Sequence, residues 1–205
     1  HNWLGAPADT PGSINISQTK LSGRRVFVYA GNMGVAQGME KLLNLARALH
    51  ERNDIGFLFV GRGSMAEDIA KQVQAEKLHN VLFYGEIDPD EIPALYSQCE
   101  AGLVSLDSRH TTHNIPGKFL SYMQAGLPVL ASVNAGNDLV DIVMQHNVGR
   151  VSVDPKGDDL VAEAIALINE IKKDTTMKQR CHKLSSDMFS AGAAVRQIVS
   201  AIGAA

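Results

Sequence analysis

The chain has 205 residues, 45% of them hydrophobic and 20% charged, the make-up of a globular protein large enough for one sizeable α/β core. A net charge of −3 excludes a general electrostatic attraction to nucleic acid or to an anionic membrane, so any phosphate site has to be local. Two cysteines, Cys99 and Cys181, are too few for a disulfide framework and suit core or helix-face positions in a reducing compartment, and no apolar run approaches the about 20 residues that a membrane span requires.

Residues 1–23 are rich in Gly, Pro, Ser, Thr and Asn and lack a sustained period, which predicts a linker with a short extended piece at Ser13 to Ser17. Trp3 is unusual in such a segment, because an indole favours a surface to cover. From residue 24 to the end the pattern is regular. Short β-rich apolar runs at Val26–Ala30, Ile55–Val60, Val81–Tyr84, Gly102–Ser105, Val129–Ala131 and Gly149–Val153 predict buried parallel strands. Helical periods fall between them at Gly38–Glu51, Ser64–Glu76, Asp90–Gln98, Gly117–Ala125 and Asp138–Gln145, and Asp158–Lys172 follows the last strand. Two more helices, Thr175–Ser186 and Ala193–Ile202, close the chain. This alternation predicts a doubly wound, Rossmann-like parallel sheet of six strands with C-terminal helices.

In such sheets ligands bind beyond the carboxyl ends of the strands, so the loops there are the candidate sites. After the first strand comes Gly31-Asn32-Met33-Gly34, continuing to Gly38, whose glycines allow close approach of the backbone to a phosphate. Its spacing is neither the dinucleotide fingerprint nor the phosphate loop of nucleotide hydrolases, which needs a closing Lys-Ser/Thr. After the second strand, Arg62 stands between Gly61 and Gly63, placed to grip a diphosphate or to lie solvated. After the third, Gly85, Glu86 and Ile87 offer backbone groups and an apolar wall to a planar base. The fourth strand leads into a long polar loop, 106–115, and then to Pro116, a residue suited to the first turn of a helix. Lys118 in that turn opposes the helix dipole, so it either points to solvent or shares a bound anion with the helix amides; the anion is the favoured reading. His110 and His113 lack the Cys or Glu partners and the spacing of a zinc site. Glu40, Asp68, Glu91 and Glu163 fall within helical patterns and are read as solvated faces. No nucleophile elbow or Cys/His constellation is present, and no carboxylate pair stands out.

Taken together, FVYAGNMGVAQGMEKLL, FLFVGRGSMAEDI, NVLFYGEIDPDEIPALYSQCEAGLVSL, IPGKFLSYMQAGLPVLAS and MFSAGAAVRQIVSAI, in that order, resemble the C-terminal, nucleotide-sugar-binding half of the two-domain GT-B glycosyltransferases, in the large retaining group that includes bacterial lipopolysaccharide and capsule enzymes. The resemblance implies that residues 1–23 are an interdomain linker and that an N-terminal acceptor-binding domain is missing from the chain. It implies a nucleotide-sugar donor, in particular a UDP-sugar, as substrate, with a lipid-linked saccharide as acceptor, no resident cofactor, no metal and no nucleic-acid partner. The expected location is cytoplasmic, with the full-length protein peripheral at the inner face of the membrane. It also implies roles: Gly31, Asn32, Met33, Gly34, Arg62 and Lys118 about the diphosphate, Gly85, Glu86, Ile87 and Ser121 about base and ribose, and His113, Asn114, Ile115, Pro116 and Gly117 about the sugar.

Three departures accompany the resemblance. Asn32 and Gln37 stand where many members have an Arg and a Lys in the first loop. His113 stands in place of a sugar-binding Glu and Ser121 in place of a ribose-binding one. Ser121 keeps a hydroxyl for ribose, whereas an imidazole does not reproduce a carboxylate's grip on a sugar hydroxyl, and Lys118 is the compensating charge typical of members whose helix starts Pro-x-Lys. Departure of a nucleoside diphosphate develops negative charge, which amides, Arg62 and Lys118 held around it would stabilise in the transition state. Alone, the chain is expected to bind donor and transfer little, since the other domain has to close over the site. A sugar-nucleotide 2-epimerase half and a non-catalytic nucleotide-binding module are the alternative readings.

Overall fold

A computed structural model describes residues 10–109 and 115–189, so Trp3, His110, His113, Asn114 and the expected helix at residues 193–202 lie outside the described residues. Six strands, β1 (Arg25–Ala30), β2 (Ile55–Val60), β3 (Val81–Tyr84), β4 (Ala101–Ser105), β5 (Val129–Ser132) and β6 (Gly149–Ser152), form one parallel sheet in the order β3-β2-β1-β4-β5-β6. Helices α1 (Met39–Ala48), α2 (Ala66–Ala75), α3 (Ile92–Tyr96), α4 (Gly117–Gln124), α5 (Asp138–His146) and α6 (Leu160–Lys173) connect or follow the strands, and α7 (Met177–Leu184) runs on into a π-helical turn, Ser185–Phe189. The expected α/β doubly wound sheet is thus the observed one.

The strands are continuous apolar runs because helices cover both faces of the sheet. Val26 and Val28 belong to a core under α3, α4, α5 and α7, whereas Phe27 and Tyr29 belong to a second core under α1, α2 and α6. Phe27 stacks on Phe57 with ring centres 5.6 Å apart. Both cysteines are free thiols: Cys181 is buried in the first core, and the Cys99 thiol lies 3.3 Å from the Leu95 carbonyl of its own helical turn.

The strand order reverses direction between β1 and β4, the switch point at which doubly wound sheets open a crevice. Pairing there is brief, Phe27 with Ala101 and Val28 with Gly102. Tyr122 from α4 fills the gap: its buried hydroxyl lies 3.1 Å from the carbonyls of both Val28 and Leu103. Gly102 makes room for the ring, since a Cβ at that position would come within 2.5 Å of it. Helix α4 is therefore held down over the switch point, and its first turn is presented at the carboxyl edge of the sheet.

The segment read as a linker is partly folded onto this domain. Ile14, Ile16 and Leu21 are buried, and Ile16–Gln18 is a 3-10 turn, not an extended piece, with the Asn15 side chain accepting from the Ser17 N–H at 3.1 Å. Gln98 holds the backbone at both ends, accepting from the Ile16 N–H at 2.9 Å and donating to the Ile14 carbonyl at 2.9 Å. Glu91 accepts from the Ser13 N–H, so this carboxylate is an anchor for the segment as well as a partly solvated group. Glu163 is likewise engaged, lying 3.5 Å from the Arg150 guanidinium, and Glu40 pairs with Arg47 at 2.8 Å.

Candidate functional site

A cavity of about 490 Å³ opens at the carboxyl edge beside the switch point. Its walls bring together Gly31 and Asn32 after β1, Arg62 after β2, Glu86 and Ile87 after β3, and Lys118 and Ser121 on α4. Other expected site residues stand elsewhere. Met33 is fully buried beneath the loop, Gly34 and Gly85 lie off the cavity wall, and Ile115, Pro116 and Gly117 form the approach to α4 without lining it. The sequence reading missed Pro89, Ile92 and Tyr96, which add an apolar side to the cavity. The signal was the short helical run after β3, whose inward face is apolar.

The first two loops are bound to each other. Gly31 donates to the Val60 carbonyl (2.9 Å), Met33 to that of Arg62 (2.7 Å), and Met65 to that of Met33 (2.9 Å), which extends the β1–β2 pairing past the ends of the strands. Gly61 sits in the left-handed region at φ +142°, and a Cβ there would fall 2.0 Å from the Gly31 carbonyl oxygen, so the close approach of the loops depends on glycine. Gly34 donates to the Gln37 side-chain oxygen at 3.0 Å, and the Asn32 amide donates to the same atom at 3.2 Å. Asn32 and Gln37, which the resemblance marked as departures from charged side chains, thus brace the loop. Of this loop's amides, Gly31, Met33 and Gly34 are engaged; among the described residues, the Asn32 N–H has no acceptor.

Helix α4 starts without a side-chain cap, and among the described residues the N–H groups of Gly117 and Lys118 have no acceptor. Lys118 turns inward: its Nζ donates to the Tyr29 hydroxyl at 2.8 Å and lies 4.0 Å from the centre of that ring. Burial lowers the Lys118 pKa from its ordinary 10.5 to about 8. No carboxylate pairs with it among the described residues. The alternative of a lysine pointing to solvent is therefore not what the fold shows. Arg62 differs: its side chain is largely exposed and lies 3.2 Å from the Glu86 carboxylate, a loose pair at the rim.

The start of the polar loop after β4 is also fixed. Lys41 donates to the Leu106 carbonyl at 3.2 Å and to the Ser132 hydroxyl at 3.3 Å, and Asp107 donates its N–H to the Ala36 carbonyl at 2.9 Å. Burial lowers the Lys41 pKa, opposed by the nearby charges of Asp107 and Asp154. Among the described residues no three of His, Cys, Asp and Glu gather as a metal site, and no helix is long and apolar enough to cross a membrane.

Residues 24–172 match the family model described as Glycosyl transferases group 1. The chain is 27% identical over 143 residues to the probable glycosyltransferase WbjE of Pseudomonas aeruginosa, covering 70% of this chain and 35% of that protein. It is 23% identical over 154 residues to the putative colanic acid biosynthesis glycosyl transferase WcaI of Escherichia coli K12, covering 75% and 38%. The chain thus spans little more than a third of the length of these relatives. Among solved structures, Anabaena Alr3699/HepE in complex with UDP superposes with a TM-score of 0.71 at 18% identity, covering 93% of this chain and 51% of that one. The architecture is that of half of a GT-B glycosyltransferase, and the chain belongs to the glycosyl transferases group 1 family.

Proposed function

We propose that this chain is the donor-binding half of a retaining glycosyltransferase, and that its carboxyl-edge cavity holds the nucleoside diphosphate of a UDP-sugar used in lipopolysaccharide or surface-polysaccharide assembly. The observation that carries the proposal is Lys118: a half-buried ammonium at a helix N-terminus that, among the described residues, has no carboxylate to neutralise it and lies beside amides without an acceptor. A diphosphate supplies the missing charge. The UDP and UDP-glucose held by Alr3699/HepE, and the polysaccharide role given to WcaI, support the choice of donor and process.

In this reading the base lies against Ile87, Ile92 and Tyr96, the ribose near Ser121, and the diphosphate between the Asn32 N–H, Lys118 and Arg62. Glu86, expected from sequence beside the base, lines the cavity and lies 3.2 Å from Arg62 at the rim. His113, Asn114, Ile115, Pro116 and Gly117 are left on the approach by which the sugar would lie. Stabilisation of the leaving diphosphate by fixed cations and amides needs no metal. The acceptor in this reading is a lipid-linked saccharide, held by a second domain of a longer polypeptide working at the cytoplasmic face of the membrane.

Calorimetric titration with UDP, GDP and ADP, each with Mg²⁺ and with EDTA, tests the reading. Saturable binding of UDP that is indifferent to EDTA is the expected result. Preference for GDP or ADP would keep the site and replace the donor, binding only with Mg²⁺ would remove the metal-independent mechanism, and binding of none by the full-length protein would remove the donor site altogether.

A further inference from the structure

Tyr29 is fully buried near the end of β1, and its hydroxyl stands between two groups that the donor site uses. It accepts from Lys118 Nζ at 2.8 Å and donates to the Asn32 carbonyl at 2.5 Å. One hydroxyl thereby satisfies a cation on α4 and the carbonyl of the only first-loop residue from 31 to 34 whose N–H has no acceptor among the described residues. We propose that Tyr29 is a positioning residue of the donor site, holding the Lys118 ammonium and the Asn32 peptide in one fixed arrangement before the diphosphate arrives.

The chemistry favours this role over a merely buried tyrosine. A lysine side chain has several rotatable bonds, and its ordering would otherwise be charged against donor binding. Here the ring and hydroxyl of Tyr29 restrain the ammonium within the cavity wall while leaving its other N–H groups for phosphate oxygens. A phenol also accepts without neutralising, which a carboxylate at the same place would do. Burial raises the Tyr29 pKa, so its hydroxyl remains protonated and keeps donating to Asn32 throughout the range in which Lys118 titrates. Arg62 beyond β2, Glu86 beyond β3 and Tyr96 on α3 share the cavity wall with Lys118. Glu86 is paired with Arg62, and the hydrogen-bond partner of the lysine is Tyr29.

This inference rests on the cavity being the diphosphate site, and the test separates the two. UDP affinity is measured from pH 6 to 10 in the wild-type chain, Lys118→Met and Tyr29→Phe, which keeps the ring and removes the hydroxyl. For Tyr29→Phe the expected result is about tenfold weaker binding, on the scale of one hydrogen bond to a charged group, with the alkaline fall in affinity moved to lower pH because the ammonium has lost an acceptor. A uniform loss of affinity with the pH profile in place would mark Tyr29 as structural only, and unchanged affinity and profile would equally overturn the inference, while loss of binding in Lys118→Met would keep the site. Wild-type binding that ignores Lys118→Met would instead remove the diphosphate reading. Should Tyr29→Phe fail to fold, nuclear Overhauser contacts between the Tyr29 ring and the Lys118 side chain in the wild-type UDP complex decide: their persistence supports positioning, and their loss on saturation contradicts it.

Discussion

Among the described residues, two clefts of similar size treat their cations in opposite ways. The carboxyl-edge cavity is about 490 Å³ and the cleft at the amino end of β6, between α5, α6 and α7, about 470 Å³. In the latter, Arg150 is bound by Glu170 and Glu163, and Arg180 is bound by Asp174 and the Asn147 carbonyl. Those guanidiniums already have their anions and tie helices to the sheet. Lys118 is held by a phenol instead, beside a helix start where the Gly117 and Lys118 amides have no acceptor among the described residues. Volume therefore does not distinguish the two clefts; the state of charge satisfaction does.

The largest effect expected from breaking this contrast is on Lys118. Lys118→Ala should weaken UDP binding by about 100-fold, the upper range for a hydrogen-bonded charge, and calorimetry would detect it with folding checked by circular dichroism. Glu170→Ala in the other cleft should lower stability by about 1 kcal/mol in urea titration and leave UDP affinity as it is. Next is Gly61→Ala, where the new methyl group meets the Gly31 carbonyl. A loss of about 3 kcal/mol is expected from the combined strain and overlap, read as a shifted urea midpoint together with weaker UDP binding.

Protonation gives a graded version of the same comparison. Of the two forms of Lys118 the charged one attracts a diphosphate, so the ratio of wild-type to Lys118→Met affinity for UDP, in which the ionisations of UDP itself cancel, should be level up to about pH 7.5 and fall about tenfold per pH unit well above the Lys118 pKa of about 8. For stability the sign is opposite: between about 8 and 10.5 the unfolded chain holds a proton that the folded chain has released, so the penalty of burying this ammonium is present at neutral pH and relieved as pH rises through that window. The smallest effect is at the rim, where Glu86→Gln frees Arg62 from an exposed pair and should tighten UDP binding about two- to threefold.

The strands and the Pro-x-Lys helix were legible because burial on both faces writes continuous apolar runs, and because a lysine in a first helical turn conflicts with the dipole unless it meets an anion. Tyr29 was hidden for the same reason: within a run from Arg25 to Ala30 it is one more core residue, and only the fold shows its buried hydroxyl bonded to Lys118 and to the Asn32 carbonyl. Asn32 and Gln37 looked like lost charges and prove to be braces, a role decided by distances within the loop. The anchoring of Ile14 and Ile16 by Gln98 joins residues more than 80 positions apart, beyond the reach of any local pattern.

The most direct measurement is a titration of the ¹⁵N-labelled chain with UDP, following backbone amides in both clefts. The expected result is saturable shifts at Asn32, Arg62 and Lys118 with Asn147, Arg150 and Arg180 unmoved. Shifts centred on Arg150 and Arg180 would contradict the assignment of the donor site to the carboxyl edge.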